Sequence, residues 1–248
     1  MVDFKDHFSQ GSEGYAASRP DYPPELAAFL AEAAPDRALA LDCGCGTGQL
    51  SVLLAEHFSH VVATDASSQQ IAAATPHARV EYRVAPAEAS GLDPRSVDLI
   101  TAAQAAHWFD IGGFYEEARR VAKHGALLAL VTYGVLHVEG GAEPAVQEFY
   151  WQTIAPFWPP ERRHVEEGYR SLPFPFTEIA VQPLAIERIW TREQLLAYVE
   201  TWSAVRQAEK AGKRALVDEF AARLATLWPD GERRNVRWPL AIRAAYVD

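Results

Sequence analysis

From Ala38 to Gly134 short apolar runs alternate with amphipathic ones, and only a few residues join each to the next. "ALALDC", "HVVATD", "VEYRVAP", "SVDLITAAQ" and "GALLALVTYG" read as buried strands. "GQLSVLLAEHF" sets Leu50, Leu53, Leu54 and His57 on one helical face. "SSQQIAAAT" and "FYEEARRVAKH" read as further helices, with Gly125 placed to end the second. "DYPPELAAFLAEAAP" precedes them as a helix, with prolines and Glu25 in its first turn and Pro35 closing it. Links this short between alternating strands and helices require a parallel sheet covered on both faces. The expected architecture is α/β: a Rossmann-like, seven-stranded, mostly parallel sheet with helices on both faces. "IAVQPLAIERIW" and "NVRWPLAIRAAYV" supply two late strands, with Pro183 and Pro239 marking edges or bulges. Between them "EQLLAYVETWSAV" puts Leu195, Val199 and Trp202 on one helical stripe, and "ALVDEFAARLATLW" is a second helix.

One domain accounts for the 248 residues, in four parts. Residues 1–22 form a polar arm with scattered aromatics, and 23–133 form the alternating core. Residues 134–179 break the rhythm with Trp151, Phe157, Trp158, Tyr169, Phe174 and Phe176 among six prolines. That segment is either an insertion covering a site or a packing module over one end of the sheet. Residues 180–248 complete the sheet.

Charge narrows the partners. Residues 1–150 carry 9 Lys and Arg against 20 Asp and Glu, and residues 151–248 carry 14 against 13. An acidic body of this kind repels phosphate backbones, so no nucleic-acid partner is expected. No apolar run approaches the roughly 18 residues of a membrane span, and no secretory pattern opens the chain. The two cysteines build no disulfide framework, so a cytoplasmic location is the expectation.

The stretch "LDCGCGTGQL" (41–50) carries the chemistry. A metal clip through Cys43 and Cys45 fails on ligand count, because zinc needs three or four protein ligands and no second pair is present. A dinucleotide loop wants G-x-G-x-x-G, but Gln49 stands where the third glycine belongs. Asp42 ends the strand two residues before Gly44, where a carboxylate would repel a pyrophosphate. It suits a cofactor that is positive at that place. S-adenosylmethionine fits, with an ammonium, a sulfonium and no phosphate. Gly44, Gly46 and Gly48 let backbone approach such a ligand closely. Asp65 ends the next strand, placed to accept hydrogen bonds from both ribose hydroxyls or to cap the helix after it.

The run Asp42-x-Gly44-x-Gly46-x-Gly48 after a first strand resembles motif I of the class I S-adenosylmethionine-dependent methyltransferases. "YAASRPDYPPEL", "AAHWFD", "FYEEARRVAKHGALLALVTYG" and "TWSAV" are together similar to the small-molecule group around trans-aconitate methyltransferase. The resemblance implies methyl transfer to a small-molecule acceptor, on a carboxylate or hydroxyl oxygen. Alternatives are a non-catalytic regulator that binds the cofactor, or an enzyme that methylates protein or nucleic acid. It implies cofactor contacts from Asp42, Gly44, Cys45, Gly46 and Gly48, and from Asp65 with Ala66 after it. "APAEAS" would lie along the adenine. Pro86 stands where the family has an acid, which leaves the Ala87 backbone and Glu88. Gln104 would reach the methionyl group. Arg19, in an arm folded over the site, would pair with a carboxylate or bridge arm and core.

His107, just past the fourth strand, is the candidate base or orienter; otherwise it is a histidine fixed in packing beside Trp108. Tyr15, Tyr22, Trp108, Trp151 and Tyr169 are the candidate substrate contacts. No metal is expected.

Overall fold

The computed structural model describes residues 20–248. Arg19 and Tyr15 lie outside the described residues. Helix α1 (Pro24–Ala33) opens with a proline in its first turn and buries Leu26, Ala27, Leu30 and Ala31. Strand β1 (Leu39–Cys43), helix α2 (Gln49–Ala55), β2 (His60–Asp65), α3 (Ser68–Ala72) and β3 (Val80–Val84) follow. Then come β4 (Val97–Ala103), a 3-10 turn (Ala106–Trp108), α4 (Ile111–Val121), β5 (Ala122–Tyr133) and β6 (His137–Val138). Helices α5 (Glu143–Glu148) and α6 (Arg162–Glu166) precede β7 (Ala185–Trp190). The chain ends with α7 (Arg192–Glu200), α8 (Ser203–Lys210), α9 (Ala215–Leu227) and β8 (Arg234–Val247).

The sheet runs β3-β2-β1-β4-β5-β8-β6, and β7 also pairs with β8. Strands β1 to β5 are parallel and β8 is antiparallel to β5. The Rossmann-like expectation holds, with eight strands rather than seven because the two-residue β6 adds one. Alternate side chains divide between two cores, as the period of two demands. Leu127, Ala129, Val131 and Tyr133 join α1, α2 and the C-terminal helices on one face. Ala126, Leu128 and Leu130 join Phe114, Tyr115 and Ala118 of α4 on the other. Asp98, fully buried, binds the β1 entrance by accepting from the Ala38 and Leu39 N–H groups at 3.1 and 3.0 Å.

Four local expectations change. Helix α4 stops at Val121 and β5 begins at once, so Gly125 (φ +73°) lies inside the strand rather than ending a helix. The β4–β5 register shifts between Val97 and Leu99, where the extra residues of that start are absorbed. "EQLLAYVETWSAV" is two helices, with Trp202 as the N-cap of the second. Leu195, Val199 and Trp202 are nonetheless all buried. Strand β7 begins only after Pro183, at Ala185. Pro239 stands where β8 changes partners: residues 234–239 pair with β7, and 240–247 with β5. No helix among the described residues is long and apolar enough to cross a membrane.

Candidate active site

The carboxyl ends of β1, β2 and β4 converge where open α/β sheets bind their ligands. The loop Gly44–Gly48 links β1 to α2, and all three of its glycines have positive φ. Two of them are glycine for reasons of space as well. A Cβ on Gly44 would lie 2.4 Å from the Cβ of Ala105, and one on Gly48 would lie 2.2 Å from Tyr82 Oη. Tyr82 is held over that glycine by donating to the Thr75 carbonyl at 2.7 Å. Gly46 differs, since a Cβ there would meet nothing nearer than 3.8 Å. The space beside Gly46 is open.

Asp42 is 1% exposed. One oxygen accepts from the Ser51 hydroxyl at 2.6 Å, the other from the Thr101 hydroxyl at 2.9 Å. Burial pushes its carboxyl up from 3.8 to about 6, against the two hydroxyls, which pull it down; the negative charge of Asp65 adds to the rise. Both donors are neutral, so the buried charge lacks a cation from these partners. Asp65 ends β2 with one oxygen on the Gly46 N–H (2.9 Å) and the other on the Ser67 N–H (2.8 Å). It braces the glycine loop, while Ser67 is the N-cap of α3. Ala66 beside it is exposed. Val84, paired with Asp65 across β2–β3, is 57% exposed and adds an apolar side chain beside the carboxylate.

Cys43 and Cys45 are buried, and burial pushes both thiols far above their usual range, so neither is a nucleophile. Ala87 is buried. Glu88 accepts from the Asp110 N–H at 2.8 Å, which anchors the start of α4. Gln104, at φ +55°, turns its amide into the sheet: Nε2 donates to the Tyr133 carbonyl (2.9 Å), and Oε1 accepts from Thr132 (2.8 Å).

His107 lies in the 3-10 turn after β4, its ring 4.7 Å from Trp108. Its Nδ1 is 2.9 Å from the hydroxyl of Tyr169. Tyr169 is fully buried and offers no surface to a substrate; it meets the site through His107 instead. Tyr22 is likewise a core residue, edge-on to Tyr133 at 6.1 Å. Trp151 is 50% exposed, and its Nε1 donates to Gln147. Helix α6 packs against β5 and the 106–108 turn. The segment 134–179 therefore reaches the carboxyl end of the sheet through α6 and Tyr169, not through Trp151. Composition flags these aromatics, but the pairing of Tyr169 with His107 joins residues 62 positions apart. Sequence reasoning missed Ser51 and Thr101, the two hydroxyls that hold Asp42. Thr101 sits opposite Asp42 across β1–β4, a pairing no local pattern signals.

Comparison with known proteins adds the lineage. Residues 41–130 match the family described as a methyltransferase domain. A Dictyostelium discoideum protein named as a methyltransferase is 31% identical over 245 residues, 96% of this chain and 93% of its own. The chain belongs to the methyltransferases. A solved structure titled as a type II methyltransferase from Anaeromyxobacter dehalogenans is 49% identical. It covers 92% of this chain and 98% of its own, with a TM-score of 0.87. The malonyl-[acyl-carrier protein] O-methyltransferase of Dechloromonas aromatica is 36% identical over 110 residues, 42% of this chain and 41% of its own. The methyltransferase takes S-adenosylmethionine as cofactor, and the site fits that ligand. It offers a buried carboxylate held by neutral donors, an open space at Gly46 and a second carboxylate at Asp65.

Proposed function

We propose that this methyltransferase acts on a small molecule at a carboxylate or hydroxyl oxygen, as the trans-aconitate methyltransferase group does. The observation that carries this reading is the position of His107, set by Tyr169 at the end of β4 beneath helix α6. The acidic charge of residues 1–150 argues against a nucleic-acid acceptor. The Dechloromonas relative, an O-methyltransferase by name, supports an oxygen acceptor.

S-adenosylmethionine supplies a methyl carbon already activated by its sulfonium. The work left to the chain is binding, orientation, exclusion of water and management of one proton. Asp42 faces the positive methionyl end, and the backbone of Gly44, Cys45, Gly46 and Gly48 follows the ligand closely. Asp65 has lone pairs left for the ribose hydroxyls, with Ala66, Ala87 and Val84 beside the adenine. The Gln104 amide is bonded to β5, so that residue shapes the site by tying β4 to β5. Trp108 walls the acceptor, and segment 134–179 covers it. His107 takes the proton of a hydroxyl acceptor and orients a carboxylate, which needs no base.

Asp65→Asn is expected to weaken S-adenosylhomocysteine binding about tenfold or more, the scale of a hydrogen bond to a charged group. Titration calorimetry reads that change. The proposal itself is tested by transfer of labelled methyl to small carboxylic acids, phenols and amines. Esters or ethers are the expected products. Label found only in protein or nucleic acid overturns the proposal, as does tight S-adenosylhomocysteine binding without transfer to any acceptor. With a hydroxyl acceptor, His107→Ala lowers kcat about 10²–10⁴-fold. With a carboxylate acceptor, kcat changes by less than about tenfold, because no proton is removed.

A further inference from the structure

Helix α6 and the residue after it offer two basic–acidic pairs, Arg162 with Glu166 and Arg163 with Glu167. Each pair is four residues apart, the spacing at which side chains on a helix meet. Arg163 makes its ion pair, with Nε 2.8 Å from Glu167. Arg162 does not. The Tyr150 hydroxyl comes between, accepting from Arg162 Nε at 2.8 Å and donating to Glu166 Oε1 at 2.8 Å. Among the described residues, Nη1 and Nη2 of Arg162 enter no hydrogen bond and no ion pair.

The guanidinium is fixed all the same. Its carbon lies 4.8 Å over the ring of Trp158 and 5.7 Å over that of Tyr150. Trp202 backs both rings, 5.5 Å from Trp158 and 5.4 Å from Tyr150. Tyr150 is buried, and Trp158 Nε1 is buried without a hydrogen-bond partner. Apolar walls of this kind keep water from a cation and so strengthen its pull on an anion. Stacking sets the plane and Tyr150 holds Nε. The fork of Nη1 and Nη2 that remains matches the two oxygens of a carboxylate.

Arg162 also stands at the right end of the sheet. Helix α6 packs against β5 and the 106–108 turn. A Cβ on Gly134, the residue after β5, would lie 3.7 Å from the Val165 carbonyl. The Tyr169 N–H donates to the His164 carbonyl at 2.7 Å, and the Tyr169 hydroxyl is 2.9 Å from His107 Nδ1. We propose that Arg162 is a specificity-determining residue that binds a carboxylate of the acceptor other than the group methylated. A carboxylate held in the fork has its charge and lone pairs engaged and is a poor nucleophile. The methyl therefore goes to another oxygen, and the product keeps its negative charge. The assignment rests on the reading of this enzyme as acting on small molecules, and it narrows them to hydroxy acids and dicarboxylic acids.

Labelled methyl transfer by the full-length protein, on acceptors matched in shape but not in charge, tests the assignment. Hydroxybenzoic acids are set against the corresponding hydroxybenzamides, and dicarboxylic acids against their monoamides. The wild type is expected to prefer the acid by roughly 30-fold or more in kcat/KM, the scale of a desolvated charge pair. In Arg162→Gln that ratio falls to near one, chiefly through a higher KM for the acid, while S-adenosylhomocysteine affinity holds. Arg162→Lys keeps the charge without the fork and recovers only part of the preference. Equal use of acid and amide by the wild type overturns the assignment and leaves the small-molecule reading standing. So does an Arg162→Gln variant that retains the preference. Label found only in macromolecules, or no transfer to any small acceptor, overturns both.

Discussion

Replacing Asp42 with asparagine stabilises the ligand-free methyltransferase above pH 7 and weakens its hold on S-adenosylhomocysteine. The reason is a buried carboxylate braced by two neutral hydroxyls. Burial raises its pKa from 3.8 to about 6, so the folded protein holds this proton more tightly than the unfolded chain does. The stability this represents is fully present below about pH 4 and is lost as pH rises through about 6. At pH 8 the ionised Asp42 costs on the order of 3 kcal/mol. An asparagine side chain there imitates the protonated state without that cost. Urea denaturation should show Asp42→Asn more stable by about 1–3 kcal/mol at pH 8 and equal to the wild type near pH 4. Its affinity for S-adenosylhomocysteine should fall roughly 30- to 1000-fold, the loss expected if Asp42 is the proposed charge partner of the ligand's ammonium. Wild-type affinity should itself rise as pH passes upward through about 6. A variant that loses stability at pH 8 while keeping its affinity would show that Asp42 is there for the fold.

Gly44→Val gives the second large effect. The residue has φ +66°, and its new Cβ would fall 2.4 Å from Ala105 and 3.1 Å from Phe109. Those two neighbours flank the turn that carries His107. A left-handed backbone costs a residue with a side chain roughly 1–2 kcal/mol, and overpacking adds about 1–3. The melting temperature should drop by about 5–15 °C, and S-adenosylhomocysteine binding should be lost. Gly46→Ala is the informative contrast. Its φ of +57° carries the backbone cost, but the nearest neighbour would be 3.8 Å away. Scanning calorimetry should show a loss of only about 2–6 °C, while affinity drops at least about tenfold, as the proposed placing of the ligand in that open space requires. Equal losses of stability and affinity at both glycines would argue that the loop is structural throughout.

Much of this is legible along the chain. The alternation of periods predicts the parallel sheet. The spacing of Asp42, the three glycines and Asp65 places them at the ends of β1 and β2, where the structure has them. The end of α4 is not legible, because "AKH" continues a helical pattern locally and only pairing with β4 draws Ala122 into β5. Nor does an aromatic's place in the 134–179 segment reveal its role: Trp151 stands half exposed, while Tyr169 is buried against His107.

By itself the sequence determined the strand–helix order, the glycine loop and the acids that end two strands. Each depends on residues within a turn or two of one another, where steric limits and hydrophobic period act locally. Only the tertiary structure decided which hydroxyls hold Asp42, which phenol sets His107 and where β8 changes partners at Pro239. The side-chain contacts among these join segments 9 to 62 residues apart in the chain. They are settled by how the packed strands and helices bring side chains together, which no local pattern encodes.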